Sequence, residues 1–223
     1  MIEVIEVIEV IEVIEVIEVI EVIEIIEIMI DKLKQYNIIL ASGSPRRREL
    51  MTMLGINFTV KTKPTDEVYP DGTPAAQVSE FLAKLKAEAF MDESLADGNL
   101  IVIAADTTVV IGDEILGKPT DRADAIAMLQ KLSGKRHTVY SGVCILKGGK
   151  CHTFTAQTDV WFRQLQQEEI LFYVDNYKPY DKAGAYAVQE WIGAAAISRM
   201  EGSYYNVVGL PTQMLYVKLG EVV

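Results

Sequence analysis

The chain has 223 residues and a formal net charge of -11, from 32 acidic and 21 basic side chains. Nine of the glutamates (Glu3, Glu6, Glu9, Glu12, Glu15, Glu18, Glu21, Glu24 and Glu27) belong to one N-terminal tract; 32 less nine leaves 23 acids against 21 bases, so the body lacks the basic field that nucleic acid demands. Two cysteines and two histidines argue against a disulfide framework, a zinc-cysteine cluster and a histidine-centred triad, and fit a reducing, cytoplasmic setting.

Residues 2 to about 28 repeat Ile-Glu-Val with period three, which matches neither the two-residue alternation of a strand nor the turn of an α-helix. A glutamate at every third place excludes a membrane span, and the tract lacks the basic start of a secretory signal. Residues 1–28 are therefore expected to lie outside the fold, with one domain over 29–223 starting near Met29.

Ile38-Ile39-Leu40-Ala41 suits a buried strand. It meets Ser42-Gly43-Ser44 and then Pro45, a residue favoured at the first helical position. Ser44 is placed as the N-cap, and Leu50, Met53 and Leu54 are read as the apolar stripe of the helix. Arg46, Arg47 and Arg48 crowd the electropositive helix start, where anionic side chains would be favoured; cations there make sense if an anion docks on the exposed N–H groups.

Asn57–Val60 reads as a short strand, followed by a loop carrying Asp66 and Glu67. Thr73-Pro74 opens a helix to about Phe90, with Val78, Phe81, Leu82, Leu85 and Ala89 on one face. The apolar run Leu100–Ala105 predicts a strand buried on both faces and ending on Asp106, a favoured place for chemistry in α/β folds. Val109–Ile111 and Ile115-Leu116 flank a hairpin turn, and Lys118 sits in the stiff Gly117-Lys118-Pro119 loop. A helix capped at Thr120 or Asp121 runs to Ser133-Gly134; strands follow over Thr138–Leu146 and Cys151–Phe162, then a helix from Gln167 to about Asn176. Lys178–Tyr186 predicts a long functional loop. Ile192–Met200 and Tyr204–Val208 are expected as a last strand pair, before a closing helix ending near Leu219. Intermixed strands and helices predict an α/β fold with a mixed sheet.

The polar loops supply cations (Arg46, Arg47, Lys86, Lys118, Lys182) and carboxylates (Asp66, Glu67, Asp106, Asp181). That combination suits a polyphosphate with hard Mg²⁺ or Mn²⁺, both of which prefer oxygen ligands. No P-loop or dinucleotide-binding fingerprint is present. From these residues alone the reading is a metal-assisted phosphate or nucleotide enzyme.

Six motifs then occur in order: Ala41-Ser42-Gly43-Ser44-Pro45-Arg46-Arg47, Ala105-Asp106-Thr107, Gly117-Lys118-Pro119, Leu132-Ser133-Gly134, Asp181–Tyr186 and Val208-Gly209-Leu210-Pro211. Together they resemble the Maf family of house-cleaning nucleoside triphosphate pyrophosphatases. The resemblance implies a mixed twisted sheet with flanking helices, in two lobes around a cleft (Maf/ITPase-like). It implies hydrolysis of a nucleoside triphosphate to the monophosphate and pyrophosphate with a divalent cation, Mg²⁺ or Mn²⁺. Asp106 is then the expected general base, with Lys118 and Glu67 assisting and Glu67 and Asp106 holding the metal. Ser44, Arg46, Arg47, Lys86 and Lys182 would bind substrate. Arg46, Thr107 and Gln189 match the branch acting on dTTP and UTP, and Thr107 and Gln189 offer groups that could read a pyrimidine. Glu190 departs from that branch, which usually has glycine there, and would narrow or reshape the base pocket. The expected partner is a small nucleotide, with a homodimer left open and neither nucleic acid nor membrane engaged. The same cations without a need for Asp106 would serve the alternative, a nucleotide-binding regulator of cell division.

Overall fold

The computed structural model describes residues 30–223; the Ile-Glu-Val leader and Met29 lie outside them. β1 (Asn37–Leu40), β3 (Leu100–Ile111), β5 (Arg136–Lys147) and β6 (Lys150–Phe162) form the middle of a seven-stranded sheet. The short β2 (Thr59–Val60) flanks β1, β7 (Ile197–Glu201) flanks β6, and β4 (Glu114–Leu116) pairs with the far end of β3. β2, β1 and β3 run parallel, while the remaining pairings are antiparallel. The mixed sheet predicted from the intermixed elements is therefore present.

Side-chain alternation sorts the core into layers. Leu100, Val102 and Ala104 face α2 (Ala75–Glu88), packing on its Ala83 and Ala87 and on Phe90. Ile101, Ile103 and Ala105 face the other way, with Val143 and Ile145 of β5, toward α1 (Pro45–Met53) and the closing helix α8 (Thr212–Val222). Further along, Val109, Val139 and Val160 pack on α4 (Arg122–Leu132) and α5 (Gln167–Tyr177) as a second cluster. Thr107 and Ser141, directly opposite each other in the ladder, interrupt the apolar run between the two clusters. A polar seam on one sheet face thus separates the two lobes. The helix α7 (Tyr204–Val208) covers that seam, its Asn206 amide nitrogen 2.9 Å from Thr158 Oγ1 and 3.1 Å from the Val139 carbonyl.

Gly142, paired with Asp106, lets α2 approach the sheet: a Cβ there would lie 2.1 Å from the Glu80 backbone nitrogen. This close approach explains why the buried face of α2 includes the small residues Ser79, Ala83 and Ala87, while Phe81, expected inward, is exposed. Gly142→Ala should cost at least about 1–3 kcal/mol, since backbone cannot yield as a side chain can. It should also lower activity by shifting Lys86, carried on the same helix. Thermal unfolding beside steady-state rates would check both effects, and an unchanged melting temperature would contradict this account of the packing.

Other elements differ from expectation for local reasons. The inward residues of α1 are Leu50 and Met51, and Met53 is 64% exposed. The strand read as ending at Asp106 continues to Ile111, because β5 pairs with it from Ile101 to Val110. Strand over Asn57–Val60 shrinks to β2, and a helix read as stopping near Phe90 is followed by a second, α3 (Met91–Ala96). The largest correction is the final strand pair. Residues 191–196 form a helix, α6 (Trp191–Ala196), and only β7 of the proposed pair is a strand. Ala194, Ala195 and Ala196 favour helix, and Gly193 permits a turn so tight that a Cβ would meet the Val188 carbonyl oxygen at 1.8 Å. Tyr204–Val208 has strand-like composition, but the Ser203 hydroxyl caps it by accepting from Asn206 N at 3.4 Å.

Candidate active site

The cleft exists because one edge of β3 is left open. β1 pairs with residues 100–103 of that edge and β4 with 109–111, while β5 occupies the opposite edge throughout. Between the two partners, Asp106 and Thr107 border a cavity of about 450 Å³, within the usual size of small-ligand sites, about 300–1,000 Å³. Asp106 and Thr107, on opposite faces of the strand, both line it. So do Ser44, Arg46, Arg47, Glu67, Lys86, Lys118, Lys182 and Gln189: the residues proposed for the site meet in one place.

On the α2 face, Lys86 Nζ lies 2.6 Å from Asp106 Oδ1 and 3.1 Å from Glu67 Oε1. This pairing fills only one oxygen of Asp106; Oδ2 has no hydrogen bond among the described residues. Glu67 and Asp106 converge on one ammonium, so a cation between them is electrostatically supported. Among the described residues no group of three or more His, Cys, Asp or Glu could hold a metal. The donor set instead fits an ion such as Mg²⁺, which commonly takes one or two carboxylates and completes its shell with phosphate oxygens and water.

On the other face, Arg47 is locked. Its Nε donates to the Gly209 carbonyl at 2.8 Å, Nη1 to Ser42 Oγ at 3.2 Å and Nη2 to Thr107 Oγ1 at 3.1 Å. Burial lowers the pKa of Arg47, with Asp106 pulling in the opposite direction. Gly209 has φ +130°, a backbone geometry open to glycine and costly for other residues. Ser44 caps α1 as expected, its Oγ accepting from Arg47 N at 3.5 Å. Arg46 reaches across the cleft to Asp181 Oδ2 at 3.1 Å, whereas Arg48 is exposed and lies outside the cavity lining. The basic helix start thus sends Arg46 and Arg47 into the site.

The opposite wall comes from the Asp181–Tyr186 loop. Lys182 is buried, with Nζ 2.7 Å from Asp181 Oδ1 and 3.3 Å from Glu190 Oε1. Glu190 also accepts from the Tyr173 hydroxyl, and Ala187 N donates to that hydroxyl at 3.2 Å. Glu190 is not part of the cavity lining, so it supports Lys182 from behind and does not narrow the pocket. Lys118 has no ion pair or hydrogen bond from its ammonium among the described residues; its loop is tethered by Gly184 N donating to the Gly117 carbonyl at 3.0 Å. Gln189 is exposed at the mouth. Ser42 and Ser141 are the polar contributors that motif reading passed over. Ser42 lay within a quoted motif, but Ser141 becomes visible only through the β3–β5 register.

Behind this wall His137 is buried, its Nε2 2.8 Å from the Tyr186 hydroxyl. Burial pushes its pKa from 6.5 down to about 4. The unfolded chain therefore takes up this proton first as pH falls. The stabilisation is intact above about pH 6.5 and is lost progressively toward pH 4, by about 3 kcal/mol. Denaturant unfolding across this window should show a slope about one proton shallower in His137→Asn; an equal slope would contradict the assignment.

Comparison with known proteins agrees with the geometry. The family described as Maf-like protein matches residues 37–222. A dTTP/UTP pyrophosphatase of Porphyromonas gingivalis (strain ATCC BAA-308 / W83) is 47% identical over 192 residues, covering 86% of this chain and 96% of the relative. One from Bacteroides thetaiotaomicron is also 47% identical over 192 residues, covering 86% of this chain and 98% of the relative. The solved Ham1 protein of Staphylococcus aureus shares the fold at a TM-score of 0.50 and 16% identity, covering 84% of this chain and 100% of that one. Among the described residues no helix is long and apolar enough to cross a membrane. With the matched family spanning the sheet, both lobes and every residue of the cleft, the chain belongs to the Maf-like proteins.

Proposed function

We propose that this chain hydrolyses dTTP and UTP to the nucleoside monophosphate and pyrophosphate, with water as the nucleophile and Asp106 as general base. The observation that carries the reading is the convergence of Arg46, Arg47, Lys86, Lys118 and Lys182 on one cleft with a single strand-borne carboxylate. The relatives' printed name, dTTP/UTP pyrophosphatase, supports the substrate.

Water attacks the α-phosphorus, the bond to the bridging oxygen of the β-phosphate breaks, and pyrophosphate leaves. Lys86 holds Asp106 through Oδ1, which leaves Oδ2 to take the proton of the attacking water. The cations at the cleft stabilise negative charge on the phosphate chain as it develops. Lys118, which has no ion pair among the described residues, is available to the pyrophosphate. Arg47 is held rigidly, so its remaining N–H groups need little reorganisation before they act. Glu67 and Asp106 would hold Mg²⁺ or Mn²⁺, which when bound neutralises charge on phosphate oxygens. The apolar part of the lining, including Val109, Val139 and Tyr186, suits a base ring, with Thr107 and the Gln189 amide at its polar edge. The free thiols of Cys144 and Cys151 are in keeping with a cytoplasmic enzyme.

The test is a panel of triphosphates with Mg²⁺ or Mn²⁺, with products resolved by anion exchange. Pyrophosphate and monophosphate from dTTP and UTP are expected. Orthophosphate alone would indicate a different phosphatase, and binding without turnover would point to the regulator reading.

A further inference from the structure

We infer that Ser141 is a specificity-positioning residue: it fixes the Thr107 hydroxyl so that the cleft meets a hydrogen-bond acceptor there and not a donor. This rests on the pyrimidine triphosphatase reading above and extends it to a residue buried beneath the site.

The direction of the hydrogen bonds follows from counting protons. Ser141 Oγ lies 3.1 Å from the Asn206 carbonyl, which can only accept, and 2.9 Å from Thr107 Oγ1. Ser141 has one hydroxyl proton. Giving it to the Asn206 carbonyl satisfies that buried oxygen, so Ser141 must accept from Thr107. Thr107 Oγ1 in turn accepts from Arg47 Nη2, a group that can only donate. The resulting chain runs from Arg47 through Thr107 and Ser141 to the Asn206 carbonyl. A second protein acceptor, the Gly209 carbonyl, lies 3.4 Å from Thr107 Oγ1, but it already takes Arg47 Nε at 2.8 Å. With Ser141 present the Thr107 proton stays within the protein. One lone pair remains for a ligand.

Thr107 is also on the side of the cleft suited to a base. It shares its strand face with Val109, and Ser141 shares the corresponding face of β5 with Val139; both valines line the cavity. Asp106, with Lys86 and Glu67, lies on the opposite face. An acceptor beside the apolar lining complements the N3–H of uracil or thymine. It opposes cytosine, whose N3 is itself an acceptor. Sites built around a specific hydrogen-bond partner reject an analogue that leaves the protein group unpaired. Ser141 is fully buried and cannot touch the nucleotide; it acts through Thr107.

The experiment compares kcat/KM for dTTP and dCTP in the metal-supplied full chain, in Ser141→Ala, in Thr107→Val and in the double variant. Ser141→Ala leaves the Thr107 proton only the Gly209 carbonyl, 3.4 Å away and already engaged by Arg47, so it can turn toward the cleft. The dTTP:dCTP preference should fall about fivefold to tenfold, the worth of one neutral hydrogen bond. In the Thr107→Val background the same Ser141 change should move the ratio less than twofold, because the group through which it acts is absent. If Ser141→Ala does not fold, Ser141→Cys retains the side chain's shape with a weak acceptor and should shift the ratio in the same direction. A folded Ser141 variant with an unchanged ratio, beside a wild type that consumes dTTP, overturns this inference alone. So does an equal shift in both backgrounds. A wild type inactive on dTTP overturns the function and this inference together.

Discussion

Asp106→Asn should reduce turnover of dTTP about 10²-fold or more while changing KM only modestly. The amide keeps the shape of the carboxylate but cannot accept the proton of an attacking water, and general-base contributions are commonly about 10²–10⁴-fold. Binding should persist because the cations that surround the cleft remain. Lys86 would lose the charge of its 2.6 Å partner but retain Glu67 at 3.1 Å, so its ammonium is not left stranded. The protein should consequently fold, with a loss of stability smaller than the about 3–5 kcal/mol typical of breaking a fully buried pair. Steady-state kinetics together with a melting curve test the claim. Turnover within tenfold of the wild type in a folded variant would remove Asp106 from the chemistry.

The second large effect concerns Arg47. Arg47→Lys preserves the charge, but one ammonium on a flexible stem cannot reproduce three bonds to Gly209, Ser42 and Thr107 set by a planar guanidinium. These bonds fix where the guanidinium sits, and misplacing such a group by about 1 Å can cost about 10²-fold, so kcat/KM should fall by about that much. Arg46→Lys is the informative contrast. Among the described residues Arg46 makes a single bond, to Asp181 at 3.1 Å, in a pair whose partner is largely exposed. A lysine can approximate that contact, and a loss of about tenfold or less is expected. Equal losses at the two positions would mean that the locked geometry of Arg47 contributes nothing beyond charge.

Much of the site was legible because its chemistry is written in short, local patterns. Ser44, Pro45, Arg46 and Arg47 sit at one helix start, and their placement needs only capping and the dipole to explain. Asp106 stood out at the end of an apolar run, and Lys118 in a loop stiffened by Pro119. The mixed sheet followed from the alternation of strands and helices. Glu190 shows the opposite case: it adjoins Gln189 in the chain, but its side chain turns toward Lys182 and Tyr173, outside the cavity lining. Of the helices at 191–196 and 204–208, only the second was hidden by strand-like composition. In one a glycine is needed for a close approach to Val188; in the other a serine cap and a buried asparagine outweigh strand propensity.

By itself, then, the order of residues determined which side chains are available for phosphate chemistry and on which kind of element each is carried. Tertiary structure alone decided that β1 stops and β4 begins on the same edge of β3, opening the backbone at Asp106 and Thr107 to a cleft. It also decided that Gly142 admits α2 with Lys86, and that Ser141 stands opposite Thr107. The physical reason is that periodicity and capping act within a few neighbouring residues, whereas strand register joins positions far apart in the chain and is set by the burial of whole sheet faces.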